Sequence, residues 1–327
     1  MPRSKVSLIL FAVVVVLWQG LTLRHEFRSL KDSLNKPQVL GVSSDKQLVF
    51  PLLPDYPVLK QPAPNFAARN YTLYDIDSGL FLVNNDAETP APLASTTKIM
   101  STILALENGR KTDIYTVDQR SSAQIGSTVL LRPGERITVD NLLYSALLNS
   151  GNDAAYSLGH YIGAKQLGSD GNNVSWDNSI TAFVNLMNKK AAQLNLKTLQ
   201  YRDPAGLDDQ NVGSAQDLAR LTAYALHNKD FRQYVSTKEL TVTNVEGTIA
   251  HPLKNSNRLV SDWNYPGAIG VKTGFTPAAS HNLVAAVQWQ NHTLIAVVLG
   301  TYSDTNTASA EVARDILDYA QRAVEWR

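Results

Sequence analysis

Cysteine is absent from the 327 residues of this chain. Its absence excludes a disulfide framework, a thiol nucleophile and a metal site built on cysteine. The six histidines are scattered, and no two stand at metal-ligand spacing, so the sequence predicts no metal centre. Lysine and arginine total 30 against 29 aspartates and glutamates, which gives a net charge of +1. That balance gives no electrostatic reason to expect a nucleic-acid partner.

Long apolar runs are rare, and the one that is present lies at the N-terminus. Arg3 and Lys5 precede a largely apolar stretch from Val6 to Leu23. As a helix this stretch spans roughly 27 Å, close to the thickness of a hydrocarbon core. The basic residues favour a cytoplasmic N-terminus and an exported remainder. We therefore predict a membrane anchor in residues 1–23. A cleaved signal peptide, which would leave a secreted protein, is the alternative.

Proline is concentrated in residues 24–65, which hold six of the 14 prolines. Because proline cannot donate a hydrogen bond to a helix or a sheet, this segment is predicted to be extended and outside the core. We predict a linker over residues 24–65 and a folded domain over residues 66–327. Apolar residues make up 44% of the chain, enough for a sizeable core.

The folded part has strand patterns at both ends and helical patterns between them. Strands are predicted at residues 71–74, 80–83, 240–245, 268–272, 282–288 and 293–299. Helices are predicted at residues 96–108, 139–148, 153–162, 180–194, 215–226 and 308–324. This order predicts an α+β fold, in which an antiparallel β-sheet is flanked by helices and carries an inserted helical subdomain.

The first motif that could carry chemistry is Ser95-Thr96-Thr97-Lys98, at the start of a predicted helix. A hydroxyl is a poor nucleophile until a base takes its proton, and a lysine three residues later lies on the same helix face. Lysine can be that base only if its pKa is lowered. By itself the pattern is weak, because an N-cap serine explains it equally well. Ser43 and Lys46 repeat the spacing without a following helix, so we discard that match.

Two further motifs follow in the chain. Ser150-Gly151-Asn152 lies between two predicted helices and offers a second hydroxyl and a carboxamide, although the same residues also make an ordinary turn. Lys272-Thr273-Gly274 ends a predicted strand and offers a cation and a hydroxyl to an anionic substrate end. The glycine lets a peptide approach and pair as an added strand. An edge strand guarded by lysine is the alternative.

In this order, each at an element boundary, the three motifs are the signature of penicillin-binding proteins and serine β-lactamases. Segments 92–100, 148–155, 203–209 and 270–276 resemble a narrower group, the low-molecular-weight D-alanyl-D-alanine carboxypeptidases of peptidase family S11. The resemblance covers roughly residues 67–325. It implies a penicillin-binding, β-lactamase-like transpeptidase fold, and neither a metal nor an organic cofactor. Its implied partners are β-lactam antibiotics and a peptidoglycan stem peptide ending in D-Ala-D-Ala, with the domain outside a bacterial cell membrane.

The resemblance also implies roles for the catalytic residues. Ser95 would attack the carbonyl between two terminal D-alanines, and Lys98 would be the general base. Ser150 would relay a proton towards the leaving amine. Asn152 would hold the substrate amide and Lys98. Water would then hydrolyse the acyl-enzyme.

The third motif would bind the substrate. Lys272 would keep the site electropositive, and Thr273 would hydrogen-bond the terminal carboxylate. Gly274 gives the peptide room to approach. The backbone N–H groups of Ser95 and Phe275 would form the oxyanion hole. His281 either lines the site or is a polar residue at a sheet edge.

Three features depart from the family pattern. Members usually carry an arginine for the substrate carboxylate after the strand that follows Lys-Thr-Gly, but residues 303–309 contain none. Pro277 stands where an aspartate is common. The chain also has no room for the C-terminal β-domain and amphipathic helix of many members, which the N-terminal anchor would replace.

The main prediction is therefore a serine D-alanyl-D-alanine carboxypeptidase. A D,D-endopeptidase or transpeptidase with the same triad, or a catalytically weak peptidoglycan- or penicillin-binding module, is the alternative. A class A β-lactamase needs a glutamate between the second and third motifs, and no glutamate lies between Asn152 and Lys238.

Overall fold

The computed structural model describes residues 56–169 and 174–326. The predicted anchor in residues 1–23, and the predicted linker as far as residue 55, lie outside the described residues. No helix in the described ranges is both long enough and apolar enough to cross a bilayer.

The described chain opens with four strands, continues through helices mixed with short strands, and has a run of three long strands before its last helix and a short closing strand. The strands are β1 (Pro57–Leu59), β2 (Ala68–Asp75), β3 (Leu80–Asn85), β4 (Ala91–Pro92), β5 (Ile114–Thr116), β6 (Arg136–Thr138), β7 (Val212–Gly213), β8 (Glu239–Thr243), β9 (Ala250–Lys254), β10 (Ala268–Thr276), β11 (Ser280–Trp289), β12 (His292–Thr301) and β13 (Val324–Trp326). The helices are α1 (Lys98–Asn108), α2 (Gln119–Ser122), α3 (Val139–Leu148), α4 (Asn152–Gln166), α5 (Trp176–Gln193), α6 (Ala215–Leu226), α7 (Lys229–Ser236), α8 (Arg258–Ser261) and α9 (Ala308–Ala323). A 3₁₀ turn, Ala94–Thr97, precedes α1.

A five-stranded antiparallel sheet of order β10-β11-β12-β2-β3 forms the centre of the domain. Strand β12 is buried along its whole length because helices cover both faces of the sheet. Alternation in β11 sends Leu283 and Ala285 towards α9, and sends Val284 and Ala286 towards the core formed with α6. The α+β fold with helices between the sheet's strands is confirmed.

Strand β1 lies within the segment predicted as a linker. Strand β1 pairs antiparallel with β13, so Pro57–Leu59 belongs to the folded domain. Just after it, the N–H of Lys60 donates to the Ala323 carbonyl at 2.8 Å, and the Tyr319 hydroxyl donates to the Gln61 carbonyl at 2.7 Å. A short edge strand tolerates proline, so Pro57 is compatible with this pairing.

Several elements also differ in length from their prediction. Strand β10 runs on through the Lys-Thr-Gly motif to Thr276, beyond the predicted end at residue 272. The predicted helix at residues 96–108 is a 3₁₀ turn followed by α1. The hairpin partner β9 and the short helices α2, α7 and α8 had no predicted counterpart. Helices α2 and α8 have four residues each, too few for a helical period, and Pro252 interrupts the strand pattern of β9.

Candidate active site

Ser95 lies in the 3₁₀ turn that precedes α1, a helix that is buried from Lys98 to Ala105. Its backbone N–H is in the first turn, where it has no partner within the helix. The preceding residue, Ala94, has φ +47°, a left-handed conformation that is costly for a residue with a side chain. This bend places the serine side chain at the cleft surface and its amide beside the strand β10.

Lys98 contacts three oxygens. Its Nζ lies 2.8 Å from Ser95 Oγ, 2.7 Å from Asn152 Oδ1 and 2.8 Å from the Ala205 carbonyl oxygen. The amide and the carbonyl oxygens can only accept. A neutral amine therefore donates its two N–H bonds to them, and its lone pair faces the hydroxyl of Ser95. This is the arrangement that a base needs to take the Ser95 proton.

The electrostatics of Lys98 favour the neutral amine. Burial lowers its pKa from 10.5 to about 7, while the charges of Asp203 and Asp153 oppose the shift. The side chain is fully buried. A large fraction of Lys98 is therefore neutral near pH 7, and desolvation by burial is the cause.

A tight turn supplies the Ala205 carbonyl. The carboxylate of Asp203 accepts from the backbone N–H groups of Ala205, Gly206 and Asp208, each at 2.6 Å. Gly206 has φ +81°, and a Cβ there would overlap the carbonyl oxygen of Ala94. Sequence reasoning singled out residues 203–209 as family-like but assigned them no role. The Asp-Pro-Ala-Gly turn signature was the available signal.

The second motif joins α3 to α4 and faces the same cleft. Ser150 adopts a left-handed φ of +59° and is almost fully buried. Asn152 is oriented by donating from Nδ2 to the Ile125 carbonyl at 2.6 Å, which leaves Oδ1 facing Lys98. The backbone N–H of Asn152 also donates to the Ser127 carbonyl at 2.7 Å. The carboxamide is therefore fixed in one orientation.

The third motif lies on β10, an edge strand of the central sheet. Lys272 is buried and donates to the carbonyl of Thr273 at 3.1 Å. Burial, and then the charge of Lys98, lower the pKa of Lys272 well below its usual range. A Cβ on Gly274 would lie 3.1 Å from the backbone nitrogen of Ser95, so the strand passes close to the nucleophile's amide. Phe275 follows and is 57% exposed.

Two supporting residues were missed from the sequence. The buried side chain of Asn282, on β11, donates to the carbonyls of Pro92 and Leu93 at 2.9 and 3.2 Å, and ties the sheet to the segment before Ser95. The hydroxyl of Ser256 lies 2.7 Å from Thr273 Oγ1. Neither residue belongs to a recognisable motif. An asparagine in a strand and a serine in a loop are too common to indicate a functional role.

The cleft has a volume of about 400 Å³ and brings the three motifs together. Its wall includes Ser95, Ser150, Asn152, Thr273, Gly274 and Phe275. Lys98 and Lys272 lie behind this wall. Lys98 contacts Ser95 Oγ, and Lys272 contacts Thr273. His281 also lines the cleft and packs on the Phe275 ring, with the ring centroids 4.5 Å apart. From the arginine-free segment, Asn306 and Ser309 contribute to the wall.

Comparisons with known proteins agree with this geometry. A family model described as D-alanyl-D-alanine carboxypeptidase matches residues 58–303. D-alanyl-D-alanine carboxypeptidase DacF of Bacillus subtilis is 32% identical over 260 residues, which cover 77% of this chain and 62% of that protein. The D-alanyl-D-alanine endopeptidase of Haemophilus influenzae is 28% identical over 251 residues, covering 76% and 79%. A Streptomyces DD-transpeptidase crystal structure superposes with a TM-score of 0.72 at 30% identity, covering 80% of this chain and 100% of that one.

Proposed function

The chain belongs to the D-alanyl-D-alanine carboxypeptidase family, peptidase S11, and from that premise we propose that it is a serine carboxypeptidase that removes the terminal D-alanine from peptidoglycan stem peptides. One observation carries the proposal. The amine of Lys98 has two obligatory acceptors and the hydroxyl of Ser95 around it, so its neutral form can only face that hydroxyl as a base.

The acylation step moves one proton and exchanges one bond. Lys98 Nζ takes the proton of Ser95 Oγ as Oγ attacks the carbonyl carbon between the two D-alanines. The developing oxyanion is stabilised by the backbone N–H groups of Ser95 and Phe275. The C–N bond then breaks, and the leaving amine receives a proton relayed through Ser150. The product is a serine ester and free D-alanine.

Deacylation uses Lys98 and Ser95 again, with water as the nucleophile and Ser95 Oγ as the leaving group. A water molecule gives a proton to Lys98 and attacks the ester carbonyl, and the C–O bond to Ser95 breaks with return of the proton to Oγ.

The substrate strand binds antiparallel to β10, with Thr273 at its carboxylate end. A β-lactam, which mimics the D-Ala-D-Ala unit, acylates Ser95 by the first step alone.

Release of D-alanine from a synthetic pentapeptide stem tests the proposal. We expect turnover by the parent chain, and none above background with Ser95→Ala or Lys98→Ala. Ser43→Ala is the matched control, because Ser43 and Lys46 share the spacing of Ser95 and Lys98. Turnover by Ser95→Ala, or its loss in Ser43→Ala, would contradict the assignment of the nucleophile.

A D,D-endopeptidase or transpeptidase is the second candidate, because the cleft geometry does not select the acyl acceptor. It is favoured by the similarity to a protein named as an endopeptidase and to a DD-transpeptidase. Shortened cross-bridges without D-alanine release would identify an endopeptidase. Penicillin labelling without turnover of either substrate would identify a binding module.

We also propose that residues 1–23 anchor the enzyme in a bacterial membrane, with the domain outside the cytoplasm. The support is the basic start and the apolar run of the sequence. Fractionation of cells that express the full chain tests this proposal. Extraction from membranes only by detergent is expected, and a shortened chain in the medium would indicate cleavage of a signal peptide.

A further inference from the structure

The wall of the cleft carries no permanent charge among the described residues. Its lining consists of hydroxyl, amide, apolar and glycine residues together with His281. The two amines behind the wall, Lys98 and Lys272, are buried, and both have lowered pKa values. A substrate carboxylate at Thr273 therefore finds hydrogen-bond donors but no fully charged partner on the cleft surface.

A second cavity of about 360 Å³ adjoins this end of the cleft. The two share Ser256 and Asn306 as lining residues, and Ser256 lies 2.7 Å from Thr273 Oγ1. The second cavity is also lined by Lys254, at the end of β9, and by Arg258, at the start of α8. The two cavities therefore meet at Ser256 and Asn306, next to the position of a group bound at Thr273.

The second cavity carries a net positive charge. Lys254 Nζ lies 2.6 Å from one oxygen of Asp262, and Arg258 Nη1 lies 3.0 Å from the other. Two cations therefore face one carboxylate, and the lowered pKa of Asp262, caused first by Lys254, keeps that carboxylate ionised. The guanidinium of Arg258 has further N–H donors in a planar fork that suits a carboxylate.

We propose that the cavity formed by Lys254, Ser256, Arg258 and Asn306 is an anion subsite for the carboxylate on the leaving side of the substrate. Strand β10 runs towards Thr276, so an antiparallel substrate strand has its C-terminal end at Thr273 and points it towards Ser256. The subsite supplies the positive charge that residues 303–309 lack. This inference rests on the proposed function, because the substrate is taken to be a peptide with a free carboxylate.

Matched substrates test the subsite. We measure hydrolysis of a stem pentapeptide with a free C-terminal carboxylate and of the same peptide with a C-terminal amide. In the double variant Lys254→Gln/Arg258→Gln we expect KM for the acid to rise about tenfold, with kcat within about twofold, while KM for the amide is unchanged. In Asp262→Asn, which raises the net charge, KM for the acid should fall.

Arg136→Gln is the matched control, because it removes an arginine from an exposed pair, Arg136–Glu246, that has a similar 2.9 Å contact outside the cleft. Melting temperatures of all variants check that they are folded. Equal changes for the acid and the amide, or no change for either, would overturn the subsite.

A second probe keeps this test independent of the proposed function. Benzylpenicillin carries a free carboxylate and its methyl ester does not. If the parent is acylated but releases no D-alanine, the proposed carboxypeptidase activity fails. The subsite is then decided by acylation rates: a drop of about tenfold for the acid alone in the double variant supports it, and parallel rates for acid and ester refute it.

Discussion

The rate of Ser95 acylation should depend on pH through the protonation of Lys98. Only the neutral amine can accept the serine proton, and its pKa is lowered to about 7 by burial. The neutral fraction is then about one tenth at pH 6, one half at pH 7 and nine tenths at pH 8. At a pH well below 7, the neutral fraction of a lysine with the ordinary pKa of 10.5 would be roughly 3,000-fold smaller than that of Lys98.

We therefore expect the second-order rate constant for acylation by a fluorescent penicillin to rise about tenfold from pH 6 to pH 8 and then level off. An unperturbed lysine would instead give about a hundredfold rise over the same range, with no plateau. Because imidazoles in general titrate in this range and His281 lines the cleft, the profile is measured for His281→Gln as well. A flat profile, a rise that continues beyond pH 9, or a midpoint that disappears in His281→Gln would refute the reasoning.

Three further substitutions probe how the site is held. Gly206→Ala should reduce acylation about a hundredfold or more, because the new Cβ overlaps the Ala94 carbonyl and displaces Ser95; Gly134→Ala has a nearly equal φ of +82° and open space around it, so it should label normally. Asp203→Asn should move the midpoint of the acylation pH profile below that of the parent, since the Asp203 charge raises the pKa of Lys98; an unchanged or higher midpoint would contradict this. Asn282→Ala should lower the free energy of unfolding by about 2–3 kcal/mol in urea, because it removes the side-chain donor to the Pro92 carbonyl and the acceptor of the buried Gly300 N–H; a loss under about 0.5 kcal/mol would show that these hydrogen bonds contribute little to stability.

The sequence predicted the parts of this molecule that local patterns encode. Long amphipathic helices such as α6 and apolar strands such as β12 were predicted within a few residues of their bounds. The order of the three motifs pointed to a shared cleft, and the structure places Ser95, Asn152 and Thr273 in one wall. Their chemical roles are still predictions that the experiments above address.

The contacts that tune the site depend on tertiary structure. Ala205 acts through a backbone carbonyl, so its side chain carries no signal of the contact with Lys98. The extent of burial that lowers the pKa of Lys98 is set by helices packed from elsewhere in the chain. The pairing of β1 with β13 joins residues from opposite ends of the domain, and three-residue strands leave too short a pattern to recognise.

The mass of the intact chain after exposure to benzylpenicillin tests the central claim most directly. We predict a mass increase of one penicillin molecule, mapped by fragmentation to Ser95, and no increase for Ser95→Ala. An adduct of equal yield in Ser95→Ala, or one mapped to any other residue of the parent chain, would contradict the claim.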